Sequence, residues 1–125
     1  MADELADLKR GVNRLPENVT KALRAVASVT AGRVQRRARE IVASKVKRGA
    51  SVVALTVVDD PTHKQFLVIA EGAHDKPANL ALWIERGTRY LTARPFLRPA
   101  ADAEMRRYAD EMIRAAEHVI EGLGH

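Results

Sequence analysis

Ser51-Val52-Val53-Ala54-Leu55-Thr56-Val57-Val58, then Asp59-Asp60-Pro61-Thr62-His63, then Lys64-Gln65-Phe66-Leu67-Val68-Ile69-Ala70, is the stretch that decides how this chain folds. The first run is dense in β-branched residues and too short for a typical helix, which predicts a strand. The middle five residues are turn chemistry, because Asp hydrogen-bonds nearby backbone and Pro fixes φ. The last run completes an antiparallel hairpin over 51–70.

Outward from the hairpin the period changes to that of a helix. Val19, Leu23, Val26, Val34, Ala38 and Ile41 form one apolar stripe, while Lys21, Arg24, Arg33, Arg36, Arg37 and Arg39 mostly occupy other positions. A long basic helix is therefore predicted over 16–47, with Pro16 suited to its first turn and Gly32 marking a kink or a close helix contact. Leu5, Leu8, Val12 and Leu15 predict a short leading helix over 1–15, broken near Asn13 to Pro16. On the other side, Glu71 to Pro77 reads as a polar loop. Leu80 to Glu85 fits a strand or a helical turn, and is assigned as a strand within a 71–98 segment of loop and motif. Met105, Tyr108, Met112, Ala116, Val119 and Leu123 predict a C-terminal helix over 99–123, with Gly122 and Gly124 ending it. The result is one α+β domain spanning 1–125, with the long N-terminal helix and the C-terminal helix packed on a small antiparallel β-sheet.

The 125 residues suit a single domain, and 46% hydrophobic composition can fill its core. There is no cysteine, so disulfides and thiolate metal sites are excluded. The longest uncharged run, Gly49 to Val58, falls well short of the roughly 18 to 20 apolar residues of a membrane span. Met1-Ala2-Asp3-Glu4 lacks the basic and apolar regions of a signal peptide, so folding in the cytoplasm is expected.

The formal charge of +5 is unevenly distributed. Residues 1–8 carry three acids and no base, residues 9–48 carry twelve Lys and Arg against Glu17 and Glu40, and residues 49–125 carry nine bases against eleven acids. Nearly all the basic character belongs to this one N-terminal segment, with Arg33, Arg36, Arg37 and Arg39 as the basic face of its long helix. Such a face can meet nucleic acid, an anionic surface or an acidic protein, or can simply be solvated.

No residue pattern supports catalysis or a cofactor. His63, His74, His118 and His125 are not in metal-ligand spacing, there is no GxSxG turn, and phosphate-binding glycine patterns are missing. No catalytic, cofactor-binding or metal-ligating residue is expected, and the chain is read as a non-enzyme. For nucleic acid, no aromatic residue lies between the bases of 9–48 and no zinc-finger, RRM or helix-turn-helix pattern occurs. That leaves non-specific phosphate attraction as the alternative reading, a small basic cytoplasmic nucleic-acid-binding domain.

Two blocks stand out: Leu82-Trp83-Ile84-Glu85-Arg86-Gly87-Thr88-Arg89 and Ala93-Arg94-Pro95-Phe96-Leu97-Arg98-Pro99-Ala100. Together they resemble the signature of small tail-completion, head-tail joining or minor tail proteins of long-tailed, lambda-like bacteriophages. That signature is an aromatic residue, Glu, Phe-Gly-Thr, a variable loop, and Ala-Arg-Pro-Phe-Leu-Arg-Pro-Ala before the last helix. Glu85, Gly87, Thr88 and the whole second block match, and Arg86 replaces the usual aromatic. The resemblance implies a structural virion protein of the neck or upper tail, assembled in the host cytoplasm. It would form a homo-oligomeric ring, of six subunits, that joins the tail tube to the head connector; the tail terminator ring is the neighbouring alternative. Implied partners are the connector and the tail tube or terminator proteins, with genomic DNA as a non-specific contact in the channel and no membrane.

Physical chemistry gives the same residues specific work. Gly87 permits positive φ or close backbone approach, Thr88 can cap a turn, and Glu85 can accept from backbone amides or from Arg94 or Arg98. Pro95 and Pro99 stiffen the path into the helix, and Phe96 and Leu97 anchor the core. The motif thus either folds a corner or makes an interface, and Trp83 is either a core plug or an interface anchor. In the ring reading, the basic helix meets an acidic surface of a neighbour. Reversing Arg33, Arg36 and Arg37 is then expected to block joining while leaving the monomer folded.

Overall fold

The computed structural model describes residues 17–63 and 65–123. The leading helix expected over 1–15 lies outside them. The elements are α1 (Glu17–Lys45), α2 (Gly49–Val52), β1 (Val53–Asp60), β2 (Gln65–Gly72), α3 (Leu80–Arg86) and α4 (Leu97–Leu123). The fold is α+β, with the two long helices packed on a two-stranded antiparallel sheet.

The long helices run antiparallel, as their cross-links require. Arg33 of α1 meets Glu111 of α4, Arg37 meets Glu104, and Lys45 Nζ donates to the carbonyl of Pro95 just before α4, so one number falls as the other rises. The hairpin pairs Val53 with Gly72 through to Asp60 with Gln65. Because side chains alternate along a strand, Val53, Leu55, Val68 and Ala70 face the helices and pack in the core. Thr56, Val58, Leu67 and Ile69 lie on the opposite face. Gln35 of α1 ties the sheet down by donating to the Leu55 carbonyl at 2.7 Å. At the hairpin tip Arg24 pairs with Asp59 and lies over the Phe66 ring at 5.3 Å.

The core is built from Val34, Ala38, Val42, Val53, Leu55, Ala81, Ile84, Phe96 and Ala100. Phe96 is its largest member and is fully buried. Most of the others are Ala or Val, so the two long helices approach closely.

Several boundaries differ from the sequence reading. Ser51 and Val52 are not strand: the amides of both donate to the Arg48 carbonyl in a helical turn. Gly49 opens that turn against α1, where a Cβ would sit 2.2 Å from the Val42 carbonyl oxygen. Asp59 and Asp60, expected in the turn, extend β1, because their partners Phe66 and Gln65 continue the ladder. Asp60 still caps the turn, accepting from the amide and ring nitrogen of His63 and from Gln65. These bonds, Gln65 first and His63 next, hold its carboxyl below the usual carboxylate range. Leu80 to Glu85 is helix rather than strand. Gly32 neither interrupts α1 nor makes a close contact, since a methyl there would meet nothing within 4 Å. α4 begins at Leu97 and includes Gly122, and Met105 faces solvent.

Candidate functional site

The two sequence blocks meet at one corner, where α3 ends, a loop projects, and α4 begins. Ala81 and Ile84 bury one side of α3 and leave Leu82 and Trp83 outward, Trp83 being 38% exposed. Trp83 is therefore not a core plug. The helix ends at Gly87, whose amide donates to the Trp83 carbonyl at 2.7 Å and whose φ is 78°. A Cβ on Gly87 would lie 2.7 Å from the Ala93 nitrogen, so both backbone conformation and space require glycine.

Thr88 then closes the loop on itself. Its amide donates to the Leu91 carbonyl at 2.9 Å, the Leu91 amide returns the bond at 3.3 Å, and its hydroxyl oxygen accepts from the amides of Tyr90 and Leu91 at 3.1 Å each. The base is fixed by Arg94, whose amide donates to the Ile84 carbonyl at 2.8 Å. What this bracing holds out is Arg89-Tyr90-Leu91. Tyr90 is 86% exposed, with the Arg89 guanidinium 5.8 Å from its ring.

Glu85 caps α4 from outside that helix. One carboxylate oxygen accepts from the amides of Phe96 and Leu97 at 2.8 and 2.9 Å, and the other from the amide of Arg98 at 3.0 Å. Pro99 comes next and has no N–H, and the Ala100 amide returns to the Phe96 carbonyl. Every main-chain donor at the start of α4 is thus accounted for. A negative charge there also complements the helix dipole. Of the acceptor roles weighed for Glu85, the structure selects the backbone amides. The Arg98 guanidinium instead lies 4.0 Å from Asp102, and that of Arg94 faces the Lys45 carbonyl at 3.4 Å. Pro95 and Pro99 flank the anchor Phe96, and Lys45 holds the Pro95 carbonyl.

The basic face of α1 is committed differently from the sequence expectation. Arg33 Nη1 lies 2.9 and 3.1 Å from the two oxygens of Glu111, and Arg107 Nε donates to the same carboxylate at 2.7 Å. Arg107 first, and Arg33 after it, hold the Glu111 carboxyl below the usual range. Arg37 Nε donates to Glu104 at 2.6 Å; Glu104 is only 2% exposed, and its second oxygen has no hydrogen-bond partner. Arg36 and Arg39 are exposed on the same helix. The expectation that Arg33, Arg36 and Arg37 can be reversed with the monomer intact is therefore corrected: two of the three bind carboxylates of their own chain. Glu104 and Glu111 were missed because they sit within an apolar helical pattern. The signal was present, since glutamates seven apart on α4 share a face, as do arginines four apart on α1.

Among the described residues no three His, Asp or Glu side chains gather as a metal site would need, and no helix is long and apolar enough to cross a membrane. The corner's chemistry is that of shape, fixed backbone and exposed cations. No protein family model, curated protein or solved structure matches this chain.

Proposed function

We propose that this chain is a non-enzymatic structural subunit of a long-tailed bacteriophage particle, placed at the neck or upper tail as a closed ring of six copies that joins the tail to the head connector. The observation that carries the reading is the corner itself. Four residues of the two signature blocks have work there: Glu85 caps α4, Gly87 and Thr88 shape the loop, and Phe96 anchors it. The product of that work is a solvent-exposed tip held in place by main-chain hydrogen bonds. A protein that functions by docking needs such pre-organised surface.

The nucleic-acid alternative loses support in proportion, because Arg33 and Arg37 are engaged by Glu111 and Glu104. Electron microscopy of the purified protein tests the ring, with closed rings of uniform size expected. Disrupting the gene in the producing phage tests the placement, with unjoined heads and tails expected in the lysate. Infectious, fully joined particles from the disrupted strain would overturn the proposal. Salt-dependent DNA binding by the monomer, with a slope of several counterions, would favour the alternative.

A further inference from the structure

The molecule has two ends of opposite character. The end holding the corner loop contains residues 43–52, 71–79 and 85–98, with eight bases against Glu71, Asp75 and Glu85. The far end contains residues 17–27, 57–66 and 108–123, with seven acids against four bases, Lys64 being counted by its place in the sequence. The ends are joined by α1. Lys45 bonds to the corner at Pro95, while Arg24 bonds to the hairpin tip at Asp59. At 1.5 Å per residue, Ala27 and Lys45 lie about 27 Å apart.

Each end also carries half of a contact. At the basic end, Tyr90 stands out on a loop already fixed by four hydrogen bonds from Thr88, Tyr90 and Leu91, so holding it costs little ordering on binding. Tyrosine is among the residues enriched at interface hot spots. At the acidic end, α1, the hairpin tip and α4 leave an apolar groove of about 320 Å³ lined by Leu23, Arg24, Ala27, Phe66, Tyr108 and Met112. Aromatic and thioether side chains there suit a phenol ring.

We infer that the occupant of this groove is a second copy of the chain, whose Arg89-Tyr90-Leu91 tip inserts with Tyr90 against Phe66 and Tyr108. Tip and groove lie at opposite ends of the same molecule, so the contact is heterologous and repeats head to tail, as a closing ring requires. The inference rests on the ring reading above and names its interface. Because the ends carry opposite net charge, the contact weakens as salt is raised.

The absence of cysteine permits a clean test on the full-length chain. Arg89→Cys and Ala27→Cys chains are prepared separately, mixed, and treated with a short bismaleimide. The mixture should form covalent dimer at least tenfold faster than either chain alone. Adding Tyr90→Ser to the Arg89→Cys chain should remove at least nine-tenths of that product. The doubly substituted Arg89→Cys/Ala27→Cys chain should give a ladder of oligomers whose highest rung is the ring's copy number. Rings in the microscope without this preferred cross-link would overturn the tip-in-groove contact and leave the ring reading standing. A protein that stays monomeric at every concentration would overturn the contact, while the gene-disruption phenotype separately decides the neck assignment. An intrachain cross-link in a Leu8→Cys/Ala27→Cys chain would also overturn it, by assigning the groove to the chain's own N-terminal segment.

Discussion

Removing the carboxylate of Glu85 should loosen the start of α4 and, with it, the seat of Phe96. Glu85 is the acceptor for three consecutive main-chain amides, at 2.8, 2.9 and 3.0 Å. Losing an ordinary N-cap costs about 0.5–2 kcal/mol, and a hydrogen bond to a charged group is worth about 1.5–3 kcal/mol. The three bonds share one carboxylate, and the Arg98 amide is at the exposed rim, so their values do not add. Glu85→Ala should cost about 2–4 kcal/mol, because two part-buried amides lose their acceptor. Glu85→Gln keeps one acceptor oxygen but turns an NH₂ toward a donor and loses the charge near the helix N-terminus, for about 1–2 kcal/mol. Urea unfolding followed by circular dichroism gives both values, and thermal unfolding should show the alanine variant lower by roughly 8–16 °C. The order must be wild type, glutamine, alanine. An alanine variant within about 0.5 kcal/mol of wild type, or a glutamine variant as unstable as alanine, would mean that solvent serves these amides as well as Glu85 does.

Arg37→Ala should cost about 2–3 kcal/mol, less than the 3–5 typical of breaking a buried pair because Arg37 is half-exposed, and Arg36→Ala should fall within about 0.5 kcal/mol of wild type. Combining Arg37→Met with Glu104→Leu should recover most of the loss, which a double-mutant cycle measures. Gly87→Ala should cost about 1–3 kcal/mol, read by the same unfolding assay, from positive φ together with the clash at Ala93. Acid should destabilise the fold through Glu111. Its carboxyl is held low by Arg107 and Arg33, so its contribution is complete above the ordinary carboxylate range and is lost as pH falls through the lowered folded-state value. Unfolding midpoints measured from neutral pH downward should decline less steeply for Glu111→Gln than for wild type, and parallel curves would remove Glu111 from the account.

The parts of this fold legible in the sequence are those set by local chemistry. Runs dense in β-branched residues placed the hairpin, Gly87 and Thr88 were read as permitting positive φ and capping a turn, which are the roles they hold, and backbone amides were one of the acceptor roles open to Glu85. What escaped was decided by packing that composition alone does not show. Ser51 and Val52 look like strand by composition, yet the close approach of Gly49 to Val42 keeps them in a helical turn. Leu80 to Glu85 was ambiguous because a short apolar run fits either period; Ala81 and Ile84, three apart and both buried, settle it as helix. The basic face was legible as charge but not as pairing, because the partners of Arg33 and Arg37 lie 78 and 67 residues away.

Those pairings address a difficulty the core itself creates. Where α1 meets α4 the buried residues are small, Ala31, Val34 and Ala38 on one side and Ala100 on the other. Small apolar side chains let helices approach closely but discriminate poorly between one register and another shifted by a turn of about 5.4 Å. Placing Glu104 in that interface changes the balance, since a shifted register would bury its carboxylate away from Arg37 and also separate Glu111 from Arg33. The penalty for an unpaired buried charge exceeds what the small residues gain in any register. On this argument the arginines of α1 serve first to fix α4 in place. The register they fix sets Pro95 beside Lys45 and Tyr108 beside the hairpin tip, and so positions both the projecting loop and the groove. Of the four arginines of the basic face, Arg33 and Arg37 thus act within the molecule, while Arg36 and Arg39 stay exposed.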